Sequence, residues 1–198
     1  MTRAAVPGGN AMSGKPAVFI DRDGTLSEEI GYVNHVSRFR LIEGAAGAIK
    51  RLNDAGVPAV LVTNQAGVAR GYFPEKLIGE VHARMNELLA AAGARLDGIY
   101  YCPHHPTAGE PPYRCDCDCR KPKTGLIDRA AREMGLDVSR SYMIGDKLSD
   151  AALAKRAGCA AGVLVLTGYG RGDWEYNRER EGVEPDHIAD DLSAAVEW

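Results

Sequence analysis

A chain of 198 residues suits one domain with a sizeable core, and its 24 Lys+Arg against 27 Asp+Glu leave a net charge of −3. Nothing in that balance recruits the protein to nucleic acid or to an anionic membrane, so any anionic ligand must be held locally. Apolar runs such as Gly162-Val163-Leu164-Val165-Leu166 are far too short to cross a bilayer, and the N-terminus lacks the apolar stretch of a secretory signal; a cytoplasmic location is expected.

Residues 1–16, rich in Gly, Ala and Pro, read as a flexible tail, and 17–198 as a single domain. Near-continuously apolar runs predict strands at 17–20, 58–62, 99–101, 142–144 and 162–166, the pattern of a sheet covered on both faces. Helical period lies between them. Residues 44–53 put Ala45, Ala48, Ile49 and Leu52 on one face, before a stop at Asp54-Ala55-Gly56. Over 74–92, Leu77, Ile78, Val81, Met85, Leu88 and Leu89 form a stripe, with Pro74 near the start and Gly93 after the end. Residues 123–134 and 149–157 read as two more helices, ended by Gly135 and Gly158. The class is therefore α/β with a parallel sheet. Residues 169–180 are polar and without clear period, and 188–198 read as a short packing helix.

Polar residues follow one strand after another: Asp21 and Asp23, then Thr63-Asn64-Gln65, then Cys102 and His104, then Asp146. Open α/β sheets bind ligands beyond the carboxyl ends of their strands, so the repetition favours a shared site. Asp21 and Asp23 are two apart in an extended run and can face one cavity. Two carboxylates so placed hold a proton or a hard cation such as Mg²⁺ between them. Gly24 permits a tight turn, and Thr25 offers a hydroxyl and an N–H to a phosphate. An isolated Asp-x-Asp is more often a solvated pair; directly after Ala17-Val18-Phe19-Ile20 and before Gly24-Thr25-Leu26 it carries more weight.

Of five cysteines, four fall between Cys102 and Cys119. In a chain without a signal sequence, that clustering favours metal over disulfides. Cys102-Pro103-His104, followed after twelve residues by Cys117-Asp118-Cys119, supplies a closed soft set suited to structural Zn²⁺. Cys115 competes with Cys117, and His105 with His104; chemistry alone does not choose. Cys159, after a helix, reads as a small core residue.

The run Asp21-Arg22-Asp23-Gly24-Thr25 resembles the first motif of the haloacid-dehalogenase superfamily of phosphotransferases, and further motifs follow in order over residues 17–168. The resemblance implies a three-layer, Rossmann-like parallel sheet without a large cap domain. It also implies that Asp21 is the nucleophile phosphorylated in line and that Asp23 is the acid and then the base. Thr63 would bond the transferring phosphoryl group, Lys121 would neutralise its charge, and Asp21, Asp23 and Asp146 would ligate Mg²⁺. Asp150 belongs to the same motif and could be only structural.

A zinc loop within this fold is similar to one branch, the histidinol-phosphate and D-glycero-D-manno-heptose 1,7-bisphosphate 7-phosphatases. The long link between the loop's two halves, Gly31-Tyr32-Val33, Thr63-Asn64-Gln65-Ala66-Gly67 and Cys119-Arg120-Lys121-Pro122 resemble the heptose group; Ser27-Glu28-Glu29-Ile30 departs from it. The resemblance selects Cys102, His104, Cys117 and Cys119 for Zn²⁺. It places Glu29, Ile30, Gly31, Tyr32, Asn64, Gln65, Ala66, Arg120 and Lys147 around the substrate, with Arg120 selecting a second phosphate. The expected activity is removal of the 7-phosphate in ADP- or GDP-heptose biosynthesis, by a monomer acting on a small phosphosugar. Two rivals are a histidinol-phosphate phosphatase and a zinc-stabilised binding module; acidic Glu110, Asp116 and Asp118 in the loop speak against nucleic acid.

Overall fold

The computed structural model describes residues 14–198. Most of the expected tail lies outside that range. Within it, the Lys15 carbonyl accepts a hydrogen bond of 2.9 Å from the Asp137 N–H.

Six parallel strands form one sheet in the order β3-β2-β1-β4-β5-β6: β1 (Val18–Ile20), β2 (Ala59–Asn64), β3 (Gly98–Cys102), β4 (Tyr142–Gly145), β5 (Ala161–Val165) and β6 (His187–Ala189). The helices are α1 (Ala45–Asp54), α2 (Lys76–Ala91), α3 (Gly125–Met134) and α4 (Leu148–Ala157). Two short helical pieces follow, α5 (Gly170–Gly172) and α6 (Arg178–Glu181), and α7 (Leu192–Glu197) closes the chain. Side chains of successive strand residues leave opposite faces of the sheet. Val18 and Ile20 accordingly join Ile49, Met85, Leu89 and Leu192, under α1, α2 and α7. Phe19 joins Leu126, Ile127 and Leu153, under α3 and α4. Both faces are covered, which is why the strands read as apolar throughout.

The five expected strands and four expected helices form within about two residues of their expected ends. The C-terminal segment differs. Residues 188–198 were expected to be one helix, but His187–Ala189 pairs with Val163–Val165 as β6, and α7 begins only at Leu192. His187-Ile188-Ala189 offers only two apolar residues before Asp190-Asp191, so no apolar run marks it; pairing with β5 decides it. The aperiodic stretch 169–180 coils into α5, a π-helical stretch Asp173–Asn177, and the start of α6.

Candidate active site

Four strand ends converge. The register Ile20↔Ile144 puts the residues after β1 and β4 side by side, and Asn64↔Cys102 does the same for β2 and β3. A cavity of about 200 Å³ opens over them, lined by Asp21, Asp23, Glu29, Gly31, Tyr32, Val33, Thr63, Asn64, Gln65, Ala66, Arg120, Lys147 and Tyr169. A larger cavity of about 550 Å³ lies by the amino ends of the strands, around Pro16, Tyr142 and Trp198. Its lining includes no Asp, Glu, Cys or His side chain, so the smaller cavity is the chemical one. Ile30 is absent from its lining and packs on the core instead.

At the cavity floor, carboxylate oxygens of Asp21, Asp146 and Asp150 lie within 4.8 Å of one another, all buried. Lys121 joins them: its Nζ is 2.9 Å from Asp21 Oδ1 and 2.8 Å from Asp150 Oδ1. Burial works against the charge on Lys121, but the two carboxylates outweigh it and hold its pKa above the ordinary lysine range. Burial, then the charges of Asp21 and Asp150, push Asp146 up to about 8. Asp150 rises to about 6, mainly from burial, with Lys121 opposing.

Three carboxylates and one ammonium leave a local negative surplus, and Asp146 Oδ1 is buried without a hydrogen-bond partner. Its other oxygen accepts 2.9 Å from the Tyr169 N–H, which fixes the group's orientation. An orphaned carboxylate oxygen beside two further carboxylates suits a hard cation such as Mg²⁺. A side chain at Gly24, where φ is +84°, would run into Asp146; glycine is required for the two loops to meet.

Asp23 stands apart from that cluster. Its carboxylate takes a bidentate contact from Arg22, 3.0 Å to Oδ1 and 2.8 Å to Oδ2, and a further 2.8 Å bond to Oδ2 from Gln65 Nε2. Gln65 also donates to Thr63 Oγ1 at 3.0 Å. Thr25, expected to face a phosphate, is fully buried. Asn64 holds the Lys121 backbone from both sides: Nδ2 donates to Lys121 O and Oδ1 accepts from Lys121 N, each at 3.1 Å. Lys147 Nζ lies 4.6 Å from the Tyr169 ring centre, close enough for cation–π attraction. Tyr169 and Val33 were not foreseen; Tyr169 lies in the aperiodic stretch, where no pattern distinguished it.

Beside the cavity, Cys102, His104, Cys117 and Cys119 bring their ligand atoms within 4.8 Å of one another, with Cys115 outside the group. His105 is otherwise engaged, its Nδ1 accepting from the N–H groups of Thr107 and Ala108. Four of the six separations within the set lie between 3.3 Å (Cys119–Cys117) and 3.8 Å (Cys102 Sγ–His104 Nδ1). Tetrahedral Zn²⁺ with bonds of about 2.0–2.3 Å needs edges of roughly 3.5–3.8 Å, so the donors fit. Hydrogen bonding from Cys102 draws Cys119 down to about 5; Cys102 itself is driven far up, first by its bond to that thiolate and then by burial. Arg120 Nη1 donates 3.1 Å to the His104 carbonyl, which ties the cavity wall to the thiol cluster.

Residues 118–195 match the HAD-hydrolase-like family model. The chain is 47% identical over 188 residues to the D-glycero-D-manno-heptose-1,7-bisphosphate 7-phosphatase of Thermosynechococcus vestitus, covering 93% of this chain and 95% of that protein. It is 49% identical over 156 residues to the D-glycero-beta-D-manno-heptose-1,7-bisphosphate 7-phosphatase of Haemophilus ducreyi, covering 78% and 85%. Among solved structures, the D,D-heptose 1,7-bisphosphate phosphatase of B. bronchiseptica, complexed with magnesium and phosphate, superposes with a TM-score of 0.81 at 34% identity, over 92% of this chain and 96% of that one.

Proposed function

The chain belongs to the D-glycero-D-manno-heptose-1,7-bisphosphate 7-phosphatase family, and from that membership we propose that it hydrolyses the 7-phosphate of the heptose bisphosphate in heptose-nucleotide biosynthesis. Residues 17–198 act as one domain, with the loop 102–119 as a zinc-binding insertion. The observation that carries the reading is the charge layout of the cavity. Asp21, ion-paired to buried Lys121, shares it with two further cations, Arg120 and Lys147.

Asp21 attacks phosphorus in line and forms an aspartyl-phosphate. Lys121, held by Asn64 and Asp150, screens the nucleophile and the phosphoryl oxygens. Thr63 and the Asp21 loop cradle the transferring group. Asp23 protonates the departing sugar oxygen and then takes a proton from the attacking water. Arg120, whose fork suits a bidentate phosphate contact, receives the phosphate that is retained. Asp21, Asp146 and Asp150 would hold Mg²⁺; Asp23, expected among its ligands, turns its carboxylate to Arg22 and Gln65 instead, and Asp150 takes its place in the cluster. Bound there, Mg²⁺ supplies further charge neutralisation for the transferring phosphoryl group. Zn²⁺ on Cys102, His104, Cys117 and Cys119 would stiffen the segment that presents Arg120 and Lys121.

The test is phosphate release from the heptose 1,7-bisphosphate, its 7-monophosphate and histidinol phosphate, each with Mg²⁺ and with EDTA, followed by phosphorus NMR. Loss of the 7-phosphate with retention of the 1-phosphate is expected. A preference for histidinol phosphate would overturn the substrate assignment, and inactivity on all three would overturn the reaction class.

A further inference from the structure

Arg22 is the largest side chain in the fully buried set, only 2% exposed, yet it lies between the nucleophile and Asp23 in sequence. Burial of a guanidinium is tolerated when its donors are matched. Here they are. Nε and Nη2 grip the two oxygens of Asp23, Nη2 also reaches Gln65 Oε1 at 2.8 Å, and Nη1 lies 3.3 Å from His82 Nε2 on α2. Burial and the adjacent guanidinium draw the His82 pKa down to about 3. The imidazole is therefore neutral, and Nε2 is the acceptor. The ring is wedged edge-on against Tyr101 of β3, with centres 5.8 Å apart, so its position is set by the core rather than by solvent.

The clamp leaves Asp23 little freedom. A carboxylate has roughly four lone-pair positions. Arg22 takes one on each oxygen and Gln65 a second on Oδ2, while the Ser27 hydroxyl approaches Oδ1 only at 3.5 Å. Oδ1 is thus the less committed oxygen. The side chain of Asp23 is 21% exposed, in the cavity wall.

We propose that Arg22, seated by His82, is a positioning residue that holds Asp23 with one oxygen available for proton transfer to the leaving group. This rests on the acid–base role given to Asp23 above. In the step concerned, the bond from Asp21 to phosphorus forms as the bond to the sugar oxygen breaks, and the Asp23 proton passes to that oxygen. The Arg22 contacts keep the carboxyl in place on both sides of the transfer.

The discriminating readout is leaving-group dependence of kcat/KM, which covers the steps through phosphoryl transfer. p-Nitrophenolate departs without a proton, whereas a sugar alkoxide does not. Arg22→Met should lower kcat/KM on the heptose bisphosphate about a hundredfold, within the range of general acid catalysis, but that on p-nitrophenyl phosphate less than about fivefold. Arg22→Lys should fall between, having charge without the fork. His82→Phe should reproduce the selective loss at about tenfold, and His82→Gln, which restores an acceptor, should recover it. Asp23→Asn is the reference. If Asp23→Asn discriminates between the two substrates while the Arg22 and His82 variants lower both equally, the positioning role is overturned. If Asp23→Asn itself does not discriminate, the acid role fails and the inference with it. Should Arg22→Met not fold, the lysine variant and the His82 pair carry the same comparison.

Discussion

The carboxylate cluster and the thiol cluster adjoin, yet they are assembled in opposite ways. Asp21 and Asp146 end neighbouring central strands and Asp150 starts the following helix, so the sheet holds them together whatever occupies the space between. Their mutual repulsion is partly met from within by Lys121. Only Cys102 of the thiol set belongs to a strand; His104, Cys117 and Cys119 come from a loop with almost no regular structure, and these three are half-buried. With the proposed Mg²⁺ and Zn²⁺ bound, a hard site preassembled by the fold and a soft loop held by its ion should respond differently to loss of metal. The first should stay folded but inactive; the second should lose its shape, and Arg120 and Lys121 with it.

The largest expected effect breaks chemistry at the first cluster while leaving its frame intact. Asp21→Asn should cut phosphate release by at least about a thousandfold, some 4 kcal/mol of barrier, with phosphate still bound by calorimetry. A fall of less than about tenfold would remove the covalent step. Next comes the contrast within the loop. Cys117→Ser should abolish the zinc found by metal analysis and lower Tm by roughly 5–10 °C, as a loss of a few kcal/mol does at this size. Cys115→Ser should change neither; if Cys115→Ser costs the zinc instead, the ligand set is wrong.

The third effect tests the bridge between the clusters. Arg120→Lys should raise KM about tenfold, near 1.4 kcal/mol, for a bisphosphate and leave a monophosphate unchanged, since only the former offers the second phosphate. The smallest concerns the clamp behind Asp23. His82 has a folded pKa of about 3, below its unfolded value, so between pH 6.5 and 3 the unfolded chain binds more protons and stability falls as pH falls. From pH 6 to pH 5 the wild type should lose about 1 kcal/mol more than His82→Gln in urea titrations. Equal slopes would place His82 in water rather than against Arg22.

What can be read in a sequence here is what repeats locally. Apolar runs of three to five residues mark the central strands, and a polar residue after each marks the site, because the end of a parallel strand is where the backbone turns toward a shared edge. The acidic pair after β1 and the thiol spacing around residues 102–119 are legible for the same reason. β6 was missed because His187-Ile188-Ala189 holds only two apolar residues before an acidic pair, and Tyr169 because nothing in its aperiodic surroundings singles it out. Arg22 passed as the variable letter of a motif, although its guanidinium is only 2% exposed beside the site.

The sequence by itself thus determined the class of fold and the end of the sheet where Asp21, Asp23, Thr63 and Asp146 gather. Residue chemistry left Cys115 against Cys117 and His105 against His104 open and resemblance chose Cys117 and His104; the tertiary structure brings that chosen set together. It also decided that Asp150 shares Lys121 with Asp21, and that Asp23 faces Arg22 and Gln65 rather than the other carboxylates. The physical reason is common to all of these. Residue type and spacing state what a side chain can bind, but which neighbour it meets depends on strands and loops brought together from distant parts of the chain, and on the few donors and acceptors each buried group leaves free.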